Sequence, residues 1–524
     1  MRLISRTAVL VLAALPALAA YGASKPKPQT DFTNPILYSD YSDPDVLADG
    51  GHFYLVASTF TFVPGIPILE SEDLVHWRIV AHVVPRLKLA PMYDLTGMSA
   101  YGKGIWAPAL RKHDGRFYVY FPTPTEGIFM SSAAAMTGPW TEPVAVIAQA
   151  GLEDPCPFWD DDGSAYLVRS KTGAGPLVLY RMSADGTKVL DEGKEIVNDP
   201  VHLHTLEGPK IYKRHGYYYI WAPYGGVRGG LQAVLRSKSI YGPYEAHTVL
   251  RPGPNVSGHQ GGYVETADGK GWFLHFQFLP GGHGRIVHLE PVVWRDDWPI
   301  VGDAKPGSDW GLPVASWPMP VKLAKASEDR PQTSDEFGSA VLGQQWEWNH
   351  NPDDAHWSLT ARPGFLRLMP TFAEGFLLAH NTLTQQMQDK GFTLTTRVDL
   401  AAMTDGTVAG LAMLEKGFSG IEVTQSAGKR QVQYVHLQDS VAGAEISGSS
   451  VELRLTVAGD SVRYAYRLDG KGEFVGLGPE TPIGFSWWKG SRPALFAYAK
   501  EHSEVAAGPI DFDWVHTVSA SEVR

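Results

Sequence analysis

Cysteine is nearly absent. A single residue, Cys156, occurs among 524, so no internal disulfide staples this chain. Long apolar runs are missing as well. Beyond the first two dozen residues, no segment approaches the eighteen or so apolar residues that a membrane helix needs. Positive charge is not in excess: Lys and Arg number 45 against 56 Asp and Glu, a formal net charge of −11. That balance supplies no basic face for a phosphate backbone, so no nucleic-acid partner is expected. Nor is there a long stretch at helical period, which excludes a helical bundle.

What is present points the other way. Hydrophobic residues make up 44% of the chain, enough for sizeable cores, and the length suggests two or three domains. The 55 Gly and 38 Pro call for many turns, and 16 Trp, 22 Tyr and 21 Phe suit β structure and flat, ring-shaped ligands such as sugars. The opening MRLISRTAVLVLAALPALAAYGAS has two early arginines, a short apolar run and small residues. It reads as a signal peptide over residues 1–23, and the competing membrane anchor is disfavoured by the run's shortness and Pro16. The expected location is periplasmic or secreted, with no membrane attachment after cleavage. A chain this large does not depend on disulfides there.

One theme recurs after the SKPKPQT spacer. A polar or glycine turn leads into a short aromatic–aliphatic strand: DGGHFYLVAST at 49, HDGRFYVYFPT at 113, DDGSAYLVRS at 161, RHGYYYIWAP at 214 and ADGKGWFLHF at 267. MTGPWTEP at 136 and IYGPYEAH at 240 echo each other in the same way. Strands and tight turns at this period predict an all-β fold beginning with a five-bladed β-propeller over residues 31–310. A two-layer sandwich with coincidental turns is the competing reading. The Pro-rich, polar stretch 311–334 reads as a linker. Alternating segments such as FTLTTRVDL, QVQYVHLQ and VELRLTVAG then predict a β-sandwich over residues 335–524.

Three acids stand at the starts of different blades. Asp43 lies in YSDPDV, Asp154 in LEDPCPFWDDDG and Glu207 in HTLEGPKIY. Each is followed by Pro, directly or after one Gly, and then by a strand. Asp-Pro alone is a common turn, and Asp45 reads as such a turn acid. Acids at equivalent blade positions, however, meet at one rim of a propeller's channel. Three converging carboxylates fit a metal site or acid–base chemistry, and no EF-hand spacing supports the metal. For glycosidic bonds, one carboxylate activates water while a protonated one serves the leaving oxygen. A third raises the donor's pKa by like-charge repulsion.

SDPDV, YLVASTFTFVPGIPILESEDLVHW, GIWAPAL, EDPCPFWDDDG, EGPKIY and GHQGGYVET, in that order, resemble family 43 glycoside hydrolases, the β-xylosidases and α-L-arabinofuranosidases of hemicellulose breakdown. DEFGSAVLGQQWEWNHNP and WSLTARPGFLRL resemble the start of the jelly-roll, concanavalin-like sandwich in its two-domain members. The resemblance implies an inverting exo-glycosidase acting on plant oligosaccharide or polysaccharide. It implies Asp43 as general base, Asp154 as the acid that tunes pKa and orientation, and Glu207 as general acid. It also implies that Phe60, Trp106, Arg285 and His259 bind substrate. In some relatives the histidine helps hold a water-coordinated calcium ion. Asp335 and Asp511 resemble positions that bind structural calcium in some sandwich domains, although the chemistry itself requires no cofactor. Lys210 stands where many xylosidases have His after the acid motif's Pro, and this departure points to the leaving-group subsite. Pro157 replaces a Ser or other small residue.

Other readings have weaker support. His202 and His204 suggest zinc, but no third ligand has suitable spacing. A retaining fructan hydrolase would carry an Asn-Asp-Pro-Asn stretch and a Glu-Cys acid motif, and a sialidase would carry an S-x-D-x-G-x-T-W box. None of these occurs. A non-catalytic carbohydrate-binding propeller has no need of a water-activating base opposite a proton donor.

Overall fold

The computed structural model describes residues 30–254, 256–502 and 506–520; the expected leader lies outside them. Five four-stranded antiparallel blades follow one another along the chain, the fourth of them extended by two further strands. Their first strands, which pack round the central channel, are Asp45–Asp49, Ala109–His113, Leu152–Trp159, Lys210–Arg214 and His259–Glu265. The five aromatic repeats form the second strands: His52–Val56, Arg116–Thr123, Ala165–Lys171, Tyr217–Tyr224 and Gly271–Phe278. In three blades the link between first and second strand is a two-residue turn with both φ positive. Gly50-Gly51, Asp114-Gly115 and His215-Gly216 fill these turns. Such turns match the twist of paired strands and favour residues that tolerate the left-handed region.

The ring closes through Asp31–Thr33, which pairs with Ser316–Pro318. The Asn34 amide fastens the joint: its nitrogen donates to Leu289 O and Val314 O, and its oxygen accepts from Leu289 N. Gly311–Leu312 adds to the fourth blade beside Glu245–Leu250. The linker expected over 311–334 therefore begins inside the propeller. Its Pro and Gly content reads as a connection, but its backbone groups are taken up by strand edges.

The second domain is a sandwich of an eight-stranded and a seven-stranded sheet. The larger sheet borrows its edge from the propeller, where Phe62–Val63 pairs with Glu347–Asn349. Val63, Ile66 and Tyr93 share one buried cluster with Trp346, Trp348 and Leu383, so apolar burial runs unbroken between the domains. Among the described residues, helix is confined to three short 3-10 turns.

Candidate active site

Every blade delivers residues to one end of the channel, where its first strand begins. Asp43 precedes the first strand of blade 1, Trp106 that of blade 2 and Glu207 that of blade 4. Asp154 lies within the first strand of blade 3, and His259 opens that of blade 5. With Phe60 and Arg285, these residues line one cavity of about 240 Å³. Pockets for drug-sized ligands run roughly 300–1,000 Å³, so this one is on the scale of a single sugar ring. A larger cleft of about 540 Å³ lies between the domains, but its lining holds no converging group of acids.

The local backbone is unusual. Asp43, Phe60, Asp154 and Gln260 all adopt positive φ (53°, 55°, 54° and 37°). Non-glycine residues held this way cost energy and tend to collect at functional sites. Here the left-handed backbone occurs at four residues that all line the cavity.

Asp43 is buried, and both its oxygens accept hydrogen bonds. Arg285 Nη1 donates to Oδ1 at 2.7 Å and Ser58 Oγ to Oδ2 at 2.6 Å. Asp154 accepts from Ser170 Oγ, Gly208 N and Gln260 Nε2. Burial first, then the neighbouring Glu207, pushes its carboxyl up to about 6, against the lowering effect of the Gly208 N–H and Lys210. Glu207 Oε1 lies 2.7 Å from His259 Nε2, and its side chain keeps 20% exposure toward the cavity. Phe60 and Trp106 form adjacent walls, with ring centroids 6.2 Å apart.

Glu153 was not anticipated. It is buried, it lines the same cavity, and its carboxylate belongs with those of Asp154 and Glu207, their ligand atoms within 4.8 Å of one another. Asp43 does not join this cluster. Three acid oxygens could hold a hard cation. The asymmetry of their partners, three donors on Asp154 and a histidine on Glu207, equally suits separate protonation states. Strict strand alternation would point Glu153 and Asp154 to opposite faces. The register shift between Glu153 and Cys156 and the left-handed Asp154 bring both to the cavity.

Trp488 was also missed. It comes from the sandwich, at the tip of a hairpin in which Ser486 pairs with Lys489. Both tip residues, Trp487 (φ 53°) and Trp488 (φ 68°), are left-handed, a genuine outlier for bulky side chains. The tip is fixed by Tyr101 stacked on Trp487 at 3.9 Å. No sequence pattern marks a contact between residues nearly 400 positions apart.

Other expectations change. Lys210 does not face a leaving group: it is fully buried, and its Nζ donates to Pro108 O. Its place in the inner strand turns it into the channel wall. Asp511 is gripped by Arg362 and Arg367, cations where calcium would need acceptor oxygens. Asp335 accepts from Phe337 N, Gln345 Nε2 and Trp346 Nε1. The two acids expected to bind calcium in the sandwich therefore do not fit a cation. His202 sits exposed on a loop against Asp199. Asp45 is an internal ion-pair partner of Arg111 and caps Val46 N.

Comparison with known proteins falls along the same two domains. The model of glycosyl hydrolases family 43 matches residues 32–299, and that of the beta xylosidase C-terminal concanavalin A-like domain matches residues 334–517. A Xylanibacter ruminicola protein provisionally named a beta-xylosidase is 40% identical over 463 residues, covering 86% of this chain and 84% of its own. A non-reducing end alpha-L-arabinofuranosidase of Bacteroides ovatus is 30% identical, covering 93% and 94%. Among solved structures, a bifunctional GH43-CE protein of Bacteroides eggerthii superposes with a TM-score of 0.84 at 28% identity. The match takes in 94% of this chain but 64% of that longer one.

Proposed function

Because the chain belongs to glycosyl hydrolase family 43 and is a glycoside hydrolase, we propose that it is an inverting, exo-acting enzyme. It releases terminal L-arabinofuranose or D-xylose from hemicellulose or pectic oligosaccharides, outside the cytoplasm. Convergence of the acids on one cavity carries this reading: Asp43, Asp154 and Glu207 all line it, and Asp43 is not part of the tight Glu153–Asp154–Glu207 group. Inversion in one displacement needs a water between base and sugar, hence two well-separated carboxyls.

In this mechanism the sugar enters the small cavity between Phe60, Trp106 and Trp488. Asp43, oriented by Arg285 and Ser58, takes a proton from the attacking water. Glu207, oriented by His259, gives its proton to the departing glycosidic oxygen. Asp154, fixed by three donors, stands beside Glu207 as the third acid of the site. The ring-sized pocket of about 240 Å³ favours chain ends over internal units. Names of the relatives divide between xylosidase and arabinofuranosidase, so the sugar is left open between these two pentoses.

Hydrolysis of 4-nitrophenyl β-D-xylopyranoside and 4-nitrophenyl α-L-arabinofuranoside tests the assignment. The wild type is expected to cleave at least one. Glu207→Ala should lower kcat by about 10²–10⁴, the usual worth of a positioned proton donor. Equal rates for the two proteins would remove Glu207 from its role, and a first-formed product with retained anomeric configuration would refute inversion.

A further inference from the structure

Glu153 has no place in the mechanism above, yet its carboxyl is in the cavity. We propose that Glu153 is a specificity-determining residue, a neutral hydrogen-bond donor that holds a hydroxyl of the sugar leaving from the acid side of the pocket. This deepens the glycosidase reading and rests on it.

Three observations carry the inference. The first is position. Glu153 clusters with Glu207 and Asp154, and Asp43 does not join them. Since the acid meets the glycosidic oxygen, a group clustered with the acid is placed to meet the departing portion of the substrate. The second is the hydrogen-bond pattern. Oε1 accepts from Ala174 N at 3.1 Å, Oε2 has no hydrogen-bond partner among the described residues, and the residue lines the cavity. A protonated carboxyl fits this arrangement, its carbonyl oxygen toward Ala174 and its O–H toward substrate.

The third is the surrounding charge. Asp154 has three donors and Glu207 has His259, whereas Glu153 has one backbone N–H. Burial first, then Asp154 and Glu207, with Asp43 adding a smaller push, raises its carboxyl to about 9 against that N–H. The nearby cations are engaged elsewhere: Arg285 with Asp43, and Lys210 with Pro108 O and, through its charge, Asp154. An ionised carboxyl can only accept hydrogen bonds, whereas a neutral Glu153 can also donate one.

Wild type, Glu153→Gln and Glu153→Ala should be compared on the 4-nitrophenyl pentoside the enzyme accepts and on the matching pentose disaccharide. Nitrophenol has no sugar hydroxyl to hold. Glu153→Ala is expected to lose at least tenfold in kcat/KM on the disaccharide and less than threefold on the nitrophenyl substrate. Glu153→Gln keeps an acceptor for Ala174 and a donor for substrate, and should stay within threefold of wild type on both. Equal losses on the two substrates would reduce Glu153 to a support for the Ala174 loop and overturn the proposal. So would an unaffected Glu153→Ala, or a Glu153→Gln as impaired as Glu153→Ala. A wild type that cleaves neither substrate would instead fail the parent reading, and this proposal with it.

Discussion

At the scale of single residues, the pocket gives its acids different partners. Asp43 has a guanidinium and a hydroxyl; Glu153 has one amide and two carboxylate neighbours. Holding Glu153 neutral has a stability consequence whose sign is fixed. Its folded-state pKa is raised, from an ordinary 4.5 to about 9. Between those values the folded chain keeps a proton that the unfolded chain has released. Folding stability therefore falls as pH rises through that window. Glu153→Gln removes the effect. Melting temperatures of the variant and wild type should nearly coincide at pH 5, with the variant pulling ahead by several degrees at pH 8. Each kcal/mol is worth about 2–4 °C in domains of 150–250 residues. A gap that does not grow with pH would show that Glu153 titrates normally.

At the scale of elements, one carboxylate ties the loop before the first blade to the sandwich. Asp40 accepts from Arg285 N and Ser42 Oγ on the propeller side, and from Gly490 N on the hairpin side, where it also pairs with Lys489 at 3.1 Å. Burial alone would raise the Asp40 pKa, but Lys489 and these N–H groups outweigh it and hold it below the ordinary value. Asp40→Asn leaves the buried ammonium of Lys489 without its counter-charge, a change that typically costs about 3–5 kcal/mol. Urea unfolding should show that loss, and kcat/KM should fall with it because Arg285 and the hairpin are both displaced.

Elements also separate what the sequence revealed from what it concealed. Local information placed the five aromatic strands, because two-residue turns and alternation are encoded within ten residues. Asp43, Asp154 and Glu207 were legible because each sits where a blade begins. Glu153 was hidden by a bulge that breaks alternation. Trp488 and Asp40 were hidden because their roles are created by packing across the domain boundary. Lys210 was misplaced because its neighbourhood in sequence says nothing about which way a channel strand turns its side chains. Asp511 looked like a ligand because its two arginines lie nearly 150 residues upstream.

At the scale of the whole molecule, the two domains share a sheet edge, a buried cluster and a pocket wall. A chain truncated after residue 334 should be insoluble or nearly inactive, since Phe62–Val63 and its apolar neighbours lose their cover. Soluble truncated protein with wild-type kcat/KM would contradict this.

The hairpin carrying Trp487 and Trp488 also makes catalysis a gauge of how tightly the halves are clasped. Its tip is strained, and it rests on the propeller through Tyr101 stacked on Trp487, the Asp40–Lys489 pair and backbone bonds from Gly490 to Asp40 and from Ser491 to Gly282. A slight parting of the domains would open the pocket while every blade stayed intact. Under rising urea, turnover should therefore fade before far-ultraviolet circular dichroism changes, the enzyme losing its grip on substrate while it is still folded.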